Sequence, residues 1–458
     1  MAKSSRHAIF AALALLGHSL SIKHFVEFGI FDCHLPFKKE RTAKTQGGPF
    51  WTLYNKSGQK IDHKCSEGWK PSEVEQFVDT YQWQVLAPYF AFAAPGREVH
   101  HYDLDWPKTI LPFIRDTEED GKEETTDNKR RQMIPVTGQG GYSKVSQALI
   151  HGAHHDPSHP GVGNKTPGTL VAIKKLHRME TERKGGDDEQ YRRRFFDEVR
   201  ALQRCSDRNH PYLIHLLMTY NYKHKYRLVF RWADCNLMEY WEMHPNVEPS
   251  GRSYEFANWV AEEWHGIAGG LEAIHNATPR GSGRHHGRHG DLKPTNILWF
   301  QQGHLQSKYS GFGKFVISDF GFTEFHAEGS KDNVDAATVG RTDTYRPPEC
   351  DVRSTVGPSY DIWTLGCILQ EFCVWYLKGY DAVVRFGMNR VNDEGGPASS
   401  THDHVTSDTF FLPESKSETQ RGSDPPKKKA QIKRSVCNVS AIPGKCAGRV
   451  EEANSTSR

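Results

Sequence analysis

One stretch of the 458-residue chain constrains its fold more than any other: HGDLKPTN, then an apolar run, then DFG. It contains Asp291, Lys293, Asn296 and Asp319. An aspartate can orient a hydroxyl nucleophile and accept its proton, and a lysine can neutralise a transferring phosphoryl group. Amide and carboxylate oxygens are the ligand atoms that Mg²⁺ prefers. The stretch therefore predicts a phosphoryl-transfer site in which Asn296 and Asp319 hold magnesium.

A glycine-rich segment upstream, Gly138 to Val145, lies between two predicted strands. Glycines let a strand, a turn and a second strand approach triphosphate oxygens closely, and Val145 would cover the adenine ring. Gly138, Gly140 and Gly141 are therefore candidate ATP-binding residues. Taken alone, an ordinary glycine-rich hairpin is the simpler interpretation.

Lys174 ends an apolar predicted strand, where an ammonium group is costly unless it meets an anion. Glu198 is the candidate carboxylate, in a predicted helix from Asp188 to Cys205. Apolar residues bracket Glu198 at inward-facing spacings, whereas Asp197 should face a different side of that helix. A surface glutamate that pairs with a nearby arginine remains the alternative.

Two further motifs follow in order, Pro347-Pro348-Glu349 and an apolar predicted helix that opens at Asp361. On these motifs, residues 132 to 380 resemble a eukaryotic protein kinase. More closely, the chain resembles a group of fungal serine/threonine kinase-like proteins, which share HGDLKP in the catalytic loop and N-terminal motifs like GIFDCHLPF and QWQVLAPYF. The resemblance implies an α+β fold with two lobes, a small β-rich lobe and a larger helical lobe, preceded by a helical N-terminal extension.

The resemblance also implies a catalytic role for Asp291, Lys293 and Asn296, with ATP and Mg²⁺ as cofactors and Asn296 and Asp319 as the metal ligands. Lys293 implies that the acceptors are serine or threonine hydroxyls of a protein, not tyrosine. Thr342 falls where such kinases hydrogen-bond the catalytic loop.

For the nucleotide, the resemblance implies that Phe230 is the gatekeeper and that Arg231 to Ala233 form the hinge that contacts adenine. The residues expected to bind ATP are Gly138, Gly140, Gly141, Val145, Ala172, Lys174, Glu198, Phe230, Trp232 and Ala233.

Two features depart from the kinase pattern. Gly290 replaces the usual arginine before the catalytic aspartate, so no guanidinium is available there to clamp a phosphorylated activation loop. We therefore expect an activity that does not depend on phosphorylation of that loop. The insertion from Asn276 to Arg288 is basic and contains histidines, and we interpret it as a solvated loop because no spaced Cys/His pair accompanies it.

The C-terminal end departs most strongly. Residues 385 to 458 are mostly Gly, Ser, Pro, Lys and Asp, and no helical stripe is visible. We therefore expect a shortened helical lobe, a Glu349 without an arginine partner, and a disordered basic tail over residues 389–458. The helix that opens at Asp361 would then lack part of its cover. A truncated or mis-spliced kinase is a further interpretation of the same pattern.

The first part of the chain is divided by composition. Residues 1–116 contain aromatic clusters and predict a helical extension, which either packs on the following domain or folds as a domain of its own. The apolar run from Ala8 to Leu16 predicts a buried helix rather than a secretory signal. Residues 117–131 are almost all charged or polar, which is typical of a linker, and residues 132–388 would form the kinase domain.

A net charge of +3 requires neither a nucleic acid nor a membrane as a partner. The nine cysteines are scattered, with no pair at CxxC spacing, which indicates free thiols in a reducing compartment. We expect a monomer in the cytoplasm that acts on a protein substrate. Pro426 to Lys429 resembles a nuclear-localisation cluster, although a basic stretch in a tail is the simpler interpretation.

Two other classes of function stay open at this point. A pseudokinase or truncated kinase would bind ATP and serve as an interaction module; the presence of Lys174, Asp291, Asn296 and Asp319 speaks against it. A small-molecule kinase of related fold is the second, and the PPE motif and the helix at Asp361 speak against that one.

Overall fold

The structure is a computed structural model that describes residues 5–42, 50–104, 106, 108–116, 139–140, 143–155, 168–178, 188–206, 210–247, 253–277, 285–301, 311–320, 324–327, 334–335, 343–352, 355–393, 408–413 and 430–440. The chain divides into two compact units. The first comprises Met1–Phe92, His100–His177 and Met218–Val229, and the second comprises Ala93–Val99, Arg178–Leu217 and Phe230–Arg458. The predicted linker 117–131 lies outside the described residues.

The N-terminal part of the first unit has a hydrophobic core of its own. Helix α1 confirms the helix predicted for the apolar run, and it ends where Gly17 adopts a left-handed conformation with φ +86 and donates its N–H to the last turn. Phe25, Phe37 and Phe77 are buried in the same core as α1. The elements are α1 (His7–Leu16), α2 (Ile22–Glu27), β1 (Lys38–Arg41), β2 (Trp51–Tyr54), α3 (Pro71–Gln76), a π-helical turn (Phe77–Tyr81) and α4 (Gln82–Val85).

A seven-stranded sheet forms the rest of the first unit, in the order β3-β8-β9-β7-β6-β4 with β5 paired to β6. The strands β3 and β4 come from the N-terminal extension and occupy the two ends of this path, so the extension supplies both edge strands of the sheet. The strands are β3 (His101–Asp103), β4 (Phe113–Asp116), β5 (Gln139–Gly140), β6 (Ser143–His151), β7 (Gly168–Leu176), β8 (Leu216–Tyr222) and β9 (Lys225–Arg231).

The two interpretations of the extension therefore each describe a part of it. The described residues up to Leu86 enclose a separate core, whereas the aromatic residues that follow pack on the sheet. The ring of Phe90 lies 5.3 Å from that of Tyr102 and 6.4 Å from that of Tyr220. Aromatic contacts at these distances anchor the last part of the extension to strand β8.

Helices, a three-stranded sheet in the order β10-β12-β13 and short strand pairs form the second unit. Three of its tryptophans, Trp241, Trp259 and Trp375, are completely buried and mark its core. The helices are α5 (Asp188–Ser206), α6 (Leu237–Met243), α7 (Tyr254–His275), α8 (Glu349–Val352), α9 (Ser359–Lys378), α10 (Tyr380–Asn392) and α11 (Arg434–Ser440). The strands are β10 (Cys235–Asn236), β11 (His285–Arg288), β12 (Ile297–Phe300), β13 (Lys314–Ile317), β14 (Glu324–Ala327), β15 (Val334–Asp335), β16 (Thr355–Val356), β17 (Phe411–Pro413) and β18 (Ala430–Ile432).

The C-terminal residues differ from the disordered tail that the sequence predicts for 389–458. The helices α10 and α11 were not expected, and residues 408–413 and 430–440 pack against the preceding helices, with Phe410, Phe411 and Lys433 each 1% exposed. The prediction was therefore wrong for these described residues. Its failure has a physical cause, because one of the four buried positions of α10 is occupied by Arg390, which leaves too short an apolar stripe to detect.

The expectation that the helix opening at Asp361 lacks part of its cover stays a prediction, because α9 has one buried face and one exposed face. Its residues Ile362, Leu369 and Leu377 are 58%, 39% and 58% exposed. Within the described part of the chain, no helix has both the length and the apolar character needed to cross a bilayer.

Candidate active site

Strands β6 and β7 place three predicted ATP-binding residues on one face of the sheet. Val145 lies opposite Lys174 in the antiparallel register, and Ala172 is two residues before Lys174. Since residues two apart in a strand point the same way, all three side chains share a face. Lys174 is 8% exposed, so the strand carries its ammonium group into a largely buried position. Of the predicted glycines, Gly140 ends β5, and Gly138 and Gly141 lie outside the described residues.

Helix α5 confirms the helix predicted from Asp188 and presents Glu198 on its buried side. Glu198 is 8% exposed, whereas Asp197 is 59% exposed and pairs with Arg200. The prediction that the two acids face different sides of the helix is confirmed. Lys174 and Glu198 belong to different units, and their pairing stays a prediction.

The catalytic-loop motif holds the carboxylate of Asp291 in a fixed orientation. Lys293 Nζ donates to Asp291 Oδ2 over 2.7 Å, and Asn296 Nδ2 donates to the same oxygen over 3.2 Å. Asn296 Nδ2 also donates to the backbone oxygen of Asp291 over 2.7 Å. Asp291 and Asn296 are 6% and 7% exposed. The three predicted catalytic residues are thus brought together, with a charge-assisted hydrogen bond at the centre.

Strands β12 and β13 form a hairpin in the three-stranded sheet with β10, and this hairpin brings the two predicted metal ligands to one end of that sheet. Ile297 pairs with Ile317, and Ser318 donates from its backbone N and its Oγ to Asn296 O over 2.8 and 3.0 Å. Asp319 follows directly, with φ +65 in the left-handed region that aspartate tolerates better than most residues. Backbone strain of this kind is frequent at functional sites.

Asp361, at the start of α9, holds the catalytic loop by its backbone. This fully buried carboxylate accepts hydrogen bonds from His289 N at 2.8 Å, Gly290 N at 2.9 Å and His275 Nε2 at 2.9 Å. Burial alone would raise the pKa of Asp361, but the hydrogen bond from His275, the adjacent His289 and the Gly290 N–H hold it below its usual range.

His289 connects this loop to the DFG segment. Its Nδ1 accepts from Asp291 N at 3.3 Å, and its Nε2 donates to Ser318 O at 3.0 Å, an arrangement that assigns the ring proton to Nε2. The imidazole also lies 5.5 Å from the ring of Phe320, which is buried. One side chain therefore links the residues that precede Asp319 to the residue that is expected to orient the acceptor hydroxyl.

The predicted hinge lies between β9 and β10. Phe230 and Trp232 are half-buried, and Ala233 is 9% exposed. The next residue, Asp234, donates its N–H to Trp299 O over 3.0 Å, which ties the segment to β12. The roles of these residues in adenine binding stay predictions.

The sequence model of the protein kinase domain family matches residues 135–377, which are 243 of the 458 residues. The chain belongs to the protein kinase family. The α+β, two-lobed kinase fold implied by the sequence is thereby confirmed.

This kinase is similar to cyclin-dependent kinase-like 4 from Homo sapiens, with 28% identity over 244 residues, which cover 53% of the chain and 51% of the relative. The protein of the same name from Mus musculus is 30% identical over 209 residues, covering 45% and 50%. Cyclin-dependent kinase 7 from Dictyostelium discoideum is 26% identical over 248 residues, covering 53% and 56%. The chain spans about half the length of these curated relatives. The closer resemblance to fungal proteins stays a prediction.

Sequence reasoning missed two charged positions of the kinase on α9. Asp361 was recognised as the start of a helix but not as the anchor of the catalytic loop, and Glu371 was not singled out. Both carried a signal, because a carboxylate inside an apolar helix is costly to bury unless donors meet it. Glu371 is 3% exposed and accepts from Arg390 Nη2 at 2.8 Å.

The sequence analysis also made predictions for Glu349 of the PPE motif and for Thr342. Glu349 was expected to lack an arginine partner, and its buried Oε2 makes no hydrogen bond with the described residues. The buried arginine of this part of the kinase, Arg390, binds Glu371 instead. Thr342 lies outside the described residues.

Proposed function

We propose that this kinase transfers the γ-phosphate of ATP to serine or threonine hydroxyls of a protein substrate. The observation that carries the proposal is the convergence of Lys293 and Asn296 on one oxygen of Asp291, at 2.7 and 3.2 Å. A carboxylate oriented in this way is suited to position an acceptor hydroxyl and take its proton. Lys293 supports serine or threonine over tyrosine by the resemblance stated above.

The donor set fits Mg²⁺. The side chain of Asn296 uses only its nitrogen in hydrogen bonds with the described residues, so its oxygen is available, and Asp319 adds a carboxylate. When bound, Mg²⁺ neutralises charge on the phosphates. In this proposal Asn296 and Asp319 hold the metal, Lys174 and the glycine-rich loop hold ATP, and Lys293 balances charge on the transferring group.

Phosphotransfer from γ-labelled ATP tests the proposal. We would offer a generic basic protein and, separately, small alcohols to the parent, to Asp291→Ala and to the control Asp381→Asn, an exposed acid on α10. Labelled phosphoserine or phosphothreonine is expected from the parent and the control, with a loss of about a thousandfold in Asp291→Ala. Labelled tyrosine, transfer to small alcohols alone, or an unaffected Asp291→Ala variant would contradict the proposal.

A thermal-shift titration with Mg-ATP separates the enzyme from an ATP-binding module. ATP should raise the unfolding temperature of the parent more than that of Asp319→Ala, because a ligand stabilises the state that binds it. A shift in the parent without any phosphotransfer would favour the interaction module.

Gly290 adds a proposal on regulation. Because no arginine precedes Asp291, phosphatase treatment of the purified kinase should leave its rate unchanged, and a large change would contradict this. The monomeric state and the cytoplasmic location remain expectations from the sequence.

A further inference from the structure

The residues just before the PPE motif rest on the same helix as the catalytic loop. Thr364 Oγ1 on α9 shares its proton between Tyr360 O at 2.9 Å and Tyr345 O at 3.2 Å. Tyr345 OH donates to Glu371 Oε2, also on α9, over 2.8 Å. Asp361, three residues before Thr364, holds the catalytic loop. One helix therefore sets both the position of Asp291 and the position of the segment around Tyr345.

That segment adjoins the surroundings of Asp291. Gly290, the residue before Asp291, donates to Asp361 over 2.9 Å, and Tyr345 O lies 3.2 Å from Thr364 Oγ1, three residues further along α9. Residues three apart on a helix are neighbours on its surface, so the two segments contact α9 within one turn of each other. A protein substrate must place its hydroxyl at Asp291, and its neighbouring residues then lie beside this part of the surface.

The C-terminal residues complete the support of this segment through Arg390. The guanidinium of Arg390 is 2% exposed and donates to Glu371 Oε1 at 2.8 Å, and to Asp408 Oδ1 and Oδ2 at 2.7 and 3.2 Å. Bidentate contact with a carboxylate fixes the plane of a guanidinium. Asp408 thus orients the arginine that in turn holds Glu371.

Aromatic and backbone contacts reinforce the same connection. Phe410 lies with its ring centroid 4.2 Å from the guanidinium carbon of Arg390 and 6.1 Å from the ring of Tyr345. Lys433, 1% exposed, donates from Nζ to Arg390 O over 2.7 Å and from its backbone N to Phe410 O over 3.2 Å. Residues of two separate C-terminal stretches therefore converge on one arginine.

We propose that residues 408–413 and 430–440 are a positioning element for protein-substrate binding: through Arg390 and Glu371, they fix the segment around Tyr345 beside Asp291. The inference rests on the proposed transfer to a protein, and it adds which residues set the affinity for that protein. Asp408 and Arg390 are positioning residues, since neither touches the reacting groups.

Variants at Asp408 test the proposal with little risk to folding, because its side chain is 34% exposed. In hydrogen–deuterium exchange of the full chain, peptides over residues 343–352 should exchange about tenfold faster in Asp408→Ala than in the parent. Asp408→Glu should restore protection in part. Asp381→Asn is the matched control, because Asp381 is exposed and makes no hydrogen bond or ion pair with the described residues.

Steady-state kinetics give the second readout. The KM for the protein substrate should rise about tenfold in Asp408→Ala, with the KM for ATP and the rate of ATP hydrolysis without protein unchanged. Unchanged exchange at 343–352, or equal rises in both KM values, would overturn the proposal. If Asp408→Ala fails to fold, Asp408→Asn decides by the same criteria. If the parent labels no protein, the proposed function fails, and the exchange measurement still judges the positioning element.

Discussion

Two buried carboxylates on helix α9 have opposite properties. Asp361 and Glu371 are 0% and 3% exposed, yet the pKa of Asp361 lies below its usual range and that of Glu371 lies above it. Asp361 accepts two backbone N–H groups and His275. For Glu371, burial raises the pKa more than Arg390 and Tyr345 lower it, and Asp408 raises it further. Both carboxylates are buried, so their neighbours separate the two sites: His275 and His289 lower the pKa of Asp361, whereas Asp408 raises that of Glu371.

The difference has a consequence for tolerance to mutation. Two donors of Asp361 are backbone groups of the catalytic loop, which no ordinary substitution removes. Both donors of Glu371 are side chains, Arg390 and Tyr345, and the first of these is oriented by Asp408. The catalytic loop is therefore attached to α9 by contacts that are largely independent of sequence, whereas the PPE segment depends on particular distant residues.

The largest effect is expected from Asp361→Ala. It leaves the buried N–H groups of His289 and Gly290, and the partly buried ring of His275, without an acceptor, which should cost about 4 kcal/mol of unfolding free energy and abolish phosphotransfer. Urea denaturation followed by tryptophan fluorescence measures the loss of unfolding free energy, with Asp381→Ala as the exposed control. A variant as stable as the parent would show that Asp361 does not hold the loop.

Arg390→Met should cost about 3 kcal/mol, because it leaves the carboxylate of Glu371 buried without its cation. The double variant Arg390→Met with Glu371→Leu should recover about 2 kcal/mol of that loss, since it removes the buried charge as well. The same denaturation series measures both. Equal stability of the single and double variants would mean that Glu371 is not the group that needs Arg390.

The part of the site that the sequence predicts correctly depends on local patterns. A period of two places Val145, Ala172 and Lys174 on one face, and a helical period separates Glu198 from Asp197. The close spacing of Asp291 and Asn296 within one motif already requires them to be neighbours.

The part that the sequence does not predict depends on contacts between distant segments. The edge strands β3 and β4 are short and carry few apolar residues, so only their pairing partners identify them. Arg390 and Asp408 are separated by residues without a periodic pattern. An arginine is expected at the surface unless its buried acidic partners are known, so the sequence alone does not predict that Arg390 is buried. The folded C-terminal residues were missed for this reason.

Glu263, a third buried acid, has one backbone donor and one side-chain donor, and it predicts a pH dependence of the unfolding free energy. It accepts from Phe315 N at 2.6 Å and Tyr212 OH at 3.1 Å, but burial outweighs these donors and raises its pKa from 4.5 to about 7. The folded state therefore binds its proton more tightly, so the parent should lose stability relative to Glu263→Gln as the pH rises from about 4.5 to about 7.

The expected difference in unfolding free energy between the parent and Glu263→Gln reaches about 3 kcal/mol near pH 7.5 and levels off above it. Denaturation at half-unit steps of pH measures it, with the exposed Glu255→Gln on the same helix as the control. A difference that does not change with pH would assign Glu263 an ordinary pKa.

The smallest effect concerns the backbone that Asp361 holds. Gly290 donates to Asp361 with φ +81, a conformation that a residue with a Cβ adopts at a cost of about 1 kcal/mol. Gly290→Ala should therefore be destabilising by that amount, and Gly290→Asn by less, because asparagine tolerates the left-handed region.

Gly366→Ala is the matched control of opposite sign. Gly366 lies inside α9 with open space around its Cβ position, so alanine there should stabilise the kinase by about 1 kcal/mol. If both alanine variants stabilise the protein, the loop is not held in the left-handed conformation, and the backbone attachment that distinguishes Asp361 from Glu371 would have to be given up.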